Sequence, residues 1–139
     1  MTAIFKNILE QALELNLQRQ ALNAKYRHNL EPHQWMQEFG TVRIQMGRGV
    51  GHTTAICQLA CKDDLVVAGS AFQLMTMNEN SVKKPAVALA LNLLDNTRLR
   101  GRTFDRIWVD DASLKSSEEI RNVYVTALMH RANQIILVG

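Results

Sequence analysis

The fold is decided by the stretch Thr41-Val-Arg-Ile-Gln-Met-Gly-Arg-Gly-Val-Gly-His-Thr-Thr54. Its first part, Thr41 to Met46, predicts a short β-strand, and a glycine-rich turn, Gly47 to Gly51, leads from there into a predicted helix over Thr53 to Cys61. Backbone N–H groups in such a turn form an anion-binding nest, and the helix N-terminus adds the positive end of its dipole. Glycine suits the turn because a side chain would block an approaching phosphate oxygen. The stretch therefore predicts a phosphate-binding loop.

Strands and helices alternate along the rest of the chain. Three further apolar runs predict strands, at Leu65–Ala68, Arg106–Asp110 and Gln134–Val138. Predicted helices cover residues 3–28, 32–39, 70–77 and 85–94, and a last one follows Ser116, which forms a capping-box pattern with Glu119. This alternation is typical of an α/β fold, and we expect a short parallel sheet of about four strands with helices on both faces.

Length and composition indicate one globular unit. The chain has 139 residues, of which 47% are hydrophobic and 21% charged. We expect an N-terminal helical segment, residues 1–40, and a domain of residues 41–139 to form one compact domain. No run approaches the roughly 18 apolar residues that a membrane span needs, and the N-terminus has no signal-peptide pattern. The sequence therefore predicts a cytoplasmic protein with no membrane contact.

The phosphate-loop segment resembles a known motif. Met46-Gly-Arg-Gly-Val-Gly-His-Thr53 is similar to the Walker A loop of the P-loop NTPases, in particular the ATPase motors of viral terminases and related helicases. Gly51 and Thr53 match the pattern, whereas Met46 replaces its first small residue and His52 replaces its lysine. The resemblance implies that ATP is held by Gly47, Arg48, Gly49, Val50, Gly51, His52, Thr53 and Thr54. It also implies that Thr53 binds Mg²⁺ and that Arg48 is a catalytic residue that senses the γ-phosphate.

A second segment completes the resemblance. Leu99-Arg-Gly-Arg-Thr-Phe-Asp-Arg-Ile-Trp-Val-Asp-Asp-Ala112 is similar to the Walker B region of the same families, where a hydrophobic strand ends in two acids. The resemblance assigns Mg²⁺ binding to Asp110 and the catalytic, water-activating position to Asp111. An aspartate is one methylene shorter than the usual glutamate at that position. The implied sheet order is first, fourth, third and second strand.

The replaced lysine determines what activity we expect. Histidine is shorter than lysine and carries no permanent charge, and hydrolysis depends on fixed cations more than binding does. We therefore expect a protein that binds ATP and Mg²⁺ but hydrolyses ATP weakly or not at all, in the setting of DNA or RNA metabolism. The alternative is a non-catalytic P-loop scaffold that forms a homo-oligomer or binds a protein partner through its N-terminal helix. A nucleotide kinase is less consistent with the length, since there is little room for a lid.

Each candidate residue also has a simpler interpretation. The glycines could form a plain tight turn, His52 could cap the helix or lie on the surface, and Arg48 could be an ordinary exposed arginine. Asp110 and Asp111 could merely cap the end of their strand. The net charge of +3 permits nucleic-acid contact without demanding it. The same two possibilities, a contact surface or a solvated face, apply to the basic stretch of Arg98, Arg100, Arg102 and Arg106.

Two cysteines stand four residues apart in a predicted helix. Cys57 and Cys61 have poor spacing for a disulfide, and a metal site would need further ligands from elsewhere in the chain. We interpret both as small buried hydrophobes in a reducing compartment.

Overall fold

The chain folds as an α/β protein with a single parallel sheet. The structure, a computed structural model, describes residues 2–45 and 51–139. The helices are α1 (Thr2–Leu22), α2 (Pro32–Phe39), α3 (His52–Leu59), α4 (Ala71–Asn80) and α5 (Ser117–Met129). The strands are β1 (Thr41–Ile44), β2 (Leu65–Ala68), β3 (Ala86–Leu89), β4 (Arg106–Val109) and β5 (Gln134–Val138). Four short 3-10 helices lie at Ala24–Asn29, Ala90–Asn92, Thr97–Leu99 and Ala112–Leu114.

The strand order in the sheet is β1-β5-β4-β2-β3, and every neighbouring pair is parallel. The order of the four predicted strands agrees with the order that the resemblance implied. The last strand in sequence, β5, lies between β1 and β4, with Val42 opposite Ile136 and Trp108 opposite the same residue. The carboxyl ends of β1 and β4 therefore lie at the same end of the sheet.

The sheet has five strands rather than about four, and the prediction of a helix over residues 85–94 was wrong. Ala86–Leu89 forms β3, which pairs with β2 in the register Leu65↔Ala86, and only a 3-10 turn follows it. Alanine and leucine are good helix formers, so local propensity favoured the helix. Residues 86–89 instead pair with the edge of β2 that does not pair with β4, and this strand pairing outweighs the helix propensity of the segment.

The two faces of the sheet are covered by different helices. Val66 and Trp108 point to the face that packs against α1, α3 and α4, whereas Leu65 and Ile107 point to the face that packs against α2 and α5. The chain moves in one direction across the sheet from β1 to β2 and in the opposite direction from β4 to β5. Right-handed connections then place α3 and α5 on opposite faces.

The N-terminal helix packs against the rest of the chain. Its apolar stripe of Phe5, Leu9 and Leu13 is buried together with residues of α3 and β1. A buried polar contact adds to this packing, because the Gln134 side-chain amide donates to Leu13 O at 3.2 Å and to Asn16 Oδ1 at 2.9 Å. The predicted helix over 3–28 ends as an α-helix at Leu22. None of the helices that the structure describes is long and apolar enough to cross a lipid bilayer.

Candidate functional site

The candidate site lies at the carboxyl ends of β1 and β4. Gly51 precedes the first turn of α3 with φ 83°, a left-handed conformation that glycine adopts without steric cost. The turn residues Gly47, Arg48, Gly49 and Val50 lie outside the described residues, so their predicted roles stay predictions. The structure does describe Gly51, at the start of α3, and the carboxyl end of β4.

Thr53 and Asp110 are in direct contact, although 57 residues separate them in sequence. The Thr53 hydroxyl, in the first turn of α3, donates to Asp110 Oδ2 at 2.7 Å. Asp110 follows β4 directly, and its backbone N–H donates to Val67 O at 3.0 Å, which extends the pairing of β4 with β2 by one residue. The two residues to which the resemblance assigns Mg²⁺ binding therefore lie side by side.

The Asp110 carboxyl group is completely buried. Burial raises its pKa above the ordinary value, and the negative charge of Asp111 raises it further. The Thr53 hydrogen bond, the Asp111 backbone N–H at 3.1 Å from Oδ1 and the nearby His52 act in the opposite direction. The ionised form of Asp110 is thus costly in the free protein, and a bound cation would offset that cost.

Asp111 has its backbone in the left-handed region, with φ 52°. Its carboxylate packs tightly against Gly69, just beyond β2, so closely that a Cβ atom at position 69 would collide with Asp111 Oδ2. Glycine at position 69 therefore makes room for the acid. This contact holds Asp111 at the carboxyl ends of β2 and β4, next to the buried Asp110.

Lys115 is a neighbour of this acid pair that sequence reasoning missed. Its ammonium donates to Ala68 O at 3.2 Å and to Gly69 O at 3.1 Å, which places a cation over the carboxyl end of β2. A lysine between the strand-end acids and the capping residue Ser116 was the available signal. Residue spacing alone could not show that the short 3-10 helix after Asp111 directs the Lys115 side chain back towards β2.

His52, which the resemblance aligns with the Walker A lysine, faces the N-terminal helix. Its ring lies 4.7 Å from the ring of Phe5, centroid to centroid, with 40° between the planes. The Nε2 atom is buried and has no hydrogen-bond partner among the residues that the structure describes. Thr54, the last residue predicted to contact nucleotide, is exposed. The interpretation of His52 as an ordinary surface residue does not fit this buried atom.

The basic stretch is divided between two environments. The guanidinium of Arg106 forms an ion pair with the buried Asp64 at 2.9 Å and lies over the Trp108 ring, 5.1 Å from its centroid. Arg106 therefore belongs to the interior of the fold. Arg98, Arg100 and Arg102 are exposed, and Arg98 and Arg102 line a groove along the edge strand β3.

The two cysteines are both free thiols. Cys57 is buried, as predicted, and burial raises the pKa of its thiol. Cys61 is only half-buried and its sulfur accepts a hydrogen bond from Arg106 at 3.1 Å. It contributes to the polar contacts of Arg106 rather than to apolar packing.

The residues present fit a nucleotide phosphate with Mg²⁺. A hydroxyl and a carboxylate supply the hard oxygen ligands that Mg²⁺ prefers, and the buried Nε2 of His52 has no hydrogen-bond partner within residues 2–45 and 51–139. The described ranges 2–45 and 51–139 hold no group of three or more metal-ligating side chains. Two protein ligands are enough for Mg²⁺, which keeps several waters and takes further oxygens from substrate phosphates.

No protein-family profile matches the chain, and a search of curated proteins finds no significant match.

Proposed function

We propose that this protein binds ATP with Mg²⁺ through a P-loop of the terminase and helicase type and hydrolyses it weakly or not at all. The observation that carries the proposal is the 2.7 Å hydrogen bond from Thr53 Oγ1 to Asp110 Oδ2. It joins the second residue after the glycine-rich loop to the residue after β4. A sheet order in which β5 separates β1 from β4 supports the same conclusion.

Each residue has a role in binding. The exit from the loop at Gly51 and the first N–H groups of α3 would face the phosphates, since four N–H groups at a helix N-terminus lack partners within the helix. Thr53 and Asp110 would hold Mg²⁺, directly or through water. When bound, Mg²⁺ would neutralise part of the phosphate charge. Binding would also favour the ionised form of Asp110, which is costly in the free protein.

Two features support weak hydrolysis. His52 lacks the length and the fixed charge of lysine, and its ring packs against Phe5. Asp111 carries a short carboxylate that packs against Gly69, where a longer side chain would need more space. The loss of the lysine reduces electrostatic stabilisation of the transition state, which is the main source of catalysis in phosphoryl transfer. The shorter carboxylate of Asp111 reaches less far towards the attacking water, so general-base assistance is weaker. A partner that supplies a cation would raise the rate.

The nucleic-acid setting rests on the resemblance and on the mildly basic charge of the chain. Arg98, Arg100 and Arg102 are exposed and Arg106 is not, so at most three arginines of the stretch are available to DNA or RNA. Binding through phosphates would weaken steeply as salt rises. Filter binding of single-stranded DNA at two salt concentrations, compared with a variant that changes these three arginines to alanine, measures this contribution directly.

A non-catalytic scaffold that regulates or binds another protein is the second candidate. The specific observation in its favour is the contact of His52 with Phe5, because it ties the lysine position to the hydrophobic packing of the N-terminal helix. Fold does not fix function, and a P-loop scaffold can persist without turnover. In this case the protein would not respond to nucleotide.

Thermal unfolding with increasing ATP, with and without Mg²⁺, tests the proposal. A ligand that binds only the folded state stabilises it by about 2.7 kcal/mol at 100 times its dissociation constant. We expect a Mg²⁺-dependent rise in Tm for the native chain and none for Asp110→Asn. A rise seen only in His52→Lys would indicate a P-loop that has lost its ligand and would favour the scaffold. Turnover of about 1 s⁻¹ by the isolated chain would contradict weak hydrolysis.

A further inference from the structure

The edge strand β3 forms the floor of a groove that the proposed nucleotide site does not use. The groove has a volume of about 520 Å³, within the range of ligand-binding pockets in proteins. One wall is α4, through Leu74 and Asn78. The other wall is the segment 92–102, which lies over the opposite face of the sheet. The edge of the sheet is thus recessed between two walls.

Backbone groups of β3 point into this groove. Ala86 N donates to Asp64 O at 3.2 Å, so Ala86 faces β2. Successive residues of a strand alternate in direction, so the N–H and C=O of Val87 and the N–H of Leu89 face away from β2. Across residues 2–45 and 51–139, no hydrogen bond reaches these three groups. They are spaced to pair with the backbone of an additional strand.

The walls are fixed before any ligand arrives. Leu93 and Leu99 anchor the segment 92–102 in the hydrophobic core, and the Asn96 side chain caps its short 3-10 helix by accepting from Arg98 N at 3.0 Å. Met77 anchors α4 on the other side. A preformed groove lowers the entropic cost of binding.

The charged side chains that line the groove favour an acidic ligand. Arg98 and Arg102 line it with exposed guanidinium groups, against the single carboxylate of Asp95. The Arg102 guanidinium is held over the Phe104 ring, 5.0 Å from its centroid. The lining is net positive, and it presents the donors and acceptors of a strand edge rather than exposed aromatic rings on which bases could stack.

We propose that this groove binds an acidic, extended peptide segment of a partner protein, which adds to β3 as a sixth strand. The backbone groups of Val87 and Leu89 would supply the main-chain hydrogen bonds, and Arg98 and Arg102 would select glutamate or aspartate side chains. Pairing of β3 with the β3 of a second copy does not fit, because that strand is recessed between the same two walls. The proposal is independent of the ATP site, but it assigns Arg98 and Arg102 to a peptide rather than to nucleic acid.

The test uses the ¹⁵N-labelled full chain and a blocked peptide of alternating valine and glutamate. We expect amide shifts at Val87, Leu89 and the segment 92–102, at least tenfold weaker binding of the matching valine–lysine peptide, and the opposite preference in Arg98→Glu/Arg102→Glu. Val87→Pro removes an outward-facing N–H, a change that edge strands accept, and it also replaces a side chain that packs against the core. It should weaken binding at least tenfold, whereas Val87→Ala, which keeps the N–H, should retain it.

Alternate N-methylation of the peptide blocks its donors and tests the same hydrogen bonds even if Val87→Pro fails to fold. Equal binding of the methylated peptide would overturn the proposal. So would the absence of shifts at millimolar peptide, shifts confined to other residues, displacement by single-stranded DNA, or a dimer of the native chain that Val87→Pro dissociates. A loss of ATP response in Asp110→Asn would leave peptide binding unchanged, so the two proposals fail separately.

Discussion

At the scale of single residues, Asp110 is a buried acid whose ionisation is costly, and it is also a proposed ligand of Mg²⁺. Its buried carboxyl group has a raised pKa, first because of burial and then because of the neighbouring charge of Asp111. Asp110→Asn removes the buried charge and retains an oxygen that can accept from Thr53. We expect calorimetry without ligand to show a higher Tm for the variant and no response to ATP with Mg²⁺.

The control for this experiment is Asp63→Asn, because Asp63 is exposed and lies outside the site. It should match the native chain in both conditions. A lower Tm for Asp110→Asn than for the native chain, both without ligand, would mean that the ionised carboxylate stabilises the fold. That result would contradict the raised pKa of Asp110.

Asp64 is a second buried acid, with an entirely structural environment. Its carboxylate accepts from Arg106, from Trp108 Nε1 at 3.0 Å and from Cys61 N at 2.8 Å. Asp64→Ala leaves Trp108 Nε1 and Cys61 N without an acceptor and removes the charged partner of Arg106, which keeps its contacts with Leu59 O and Cys61 Sγ. Breaking a buried ion pair costs about 3–5 kcal/mol. Urea unfolding measures the difference, with the exposed neighbour variant Asp63→Ala expected within about 0.5 kcal/mol of the native chain. Equal stability of the two variants would show that water replaces the lost acceptor.

The pairing of Thr53 with Asp110 could be predicted from sequence, whereas other contacts of the site could not. A strand, a glycine-rich turn and two strand-end acids have recognisable patterns. The contact of His52 with Phe5 joins two helices that are far apart in sequence, and no local pattern encodes it. The position of Lys115 over Gly69 depends in the same way on a turn that no motif marks.

At the scale of elements, the cap of α5 gives a prediction with a known magnitude. Ser116 Oγ accepts from Glu119 N at 3.1 Å, and the Glu119 carboxylate accepts from Ser116 N at 3.0 Å. Ser116→Ala removes half of this capping box and should lower the free energy of unfolding by about 1 kcal/mol. The control is Ser117→Ala, one residue inside the helix, which urea unfolding should barely distinguish from the native chain. A similar loss in both variants would assign the effect to the serine side chains rather than to the cap.

The elements that sequence predicted best are those with amphipathic or capping signals. The helix after Ser116 and the helix from Pro32 to Phe39 lie where those signals put them. The segment 85–94 carries only Pro85 as a helix-start signal, and its alternation of alanine with larger apolar residues is compatible with both states. Pairing with β2 favours the strand over the helix, and β2 lies about 20 residues earlier in the sequence, beyond the reach of a local pattern.

At the scale of the whole molecule, the raised pKa of Asp110 predicts how stability depends on pH. The folded state binds the Asp110 proton more tightly than the unfolded chain, in which the pKa of Asp110 lies near the ordinary 3.8. Stability should therefore decrease as pH rises from that value through the higher folded pKa, and stay reduced at neutral pH.

The difference in free energy of unfolding between the native chain and Asp110→Asn isolates this contribution, because the other titrating groups cancel. Urea unfolding from pH 4 to pH 8 should show the variant gaining relative stability as pH rises. A constant difference over that range would mean that Asp110 titrates as it does in the unfolded chain.

The position of β5 in the sheet has a consequence for synthesis on the ribosome. β5 is the latest of the five strands to be translated, yet β1 and β4 can be joined only through it. We expect nascent chains that stop before Gln134 to leave β1 without a sheet partner and its apolar groups accessible to chaperones and proteases. Limited proteolysis of stalled ribosome complexes should show protection of β1 only after β5 has left the exit tunnel. Protection before that point would mean that α1 and α3 hold β1 on their own.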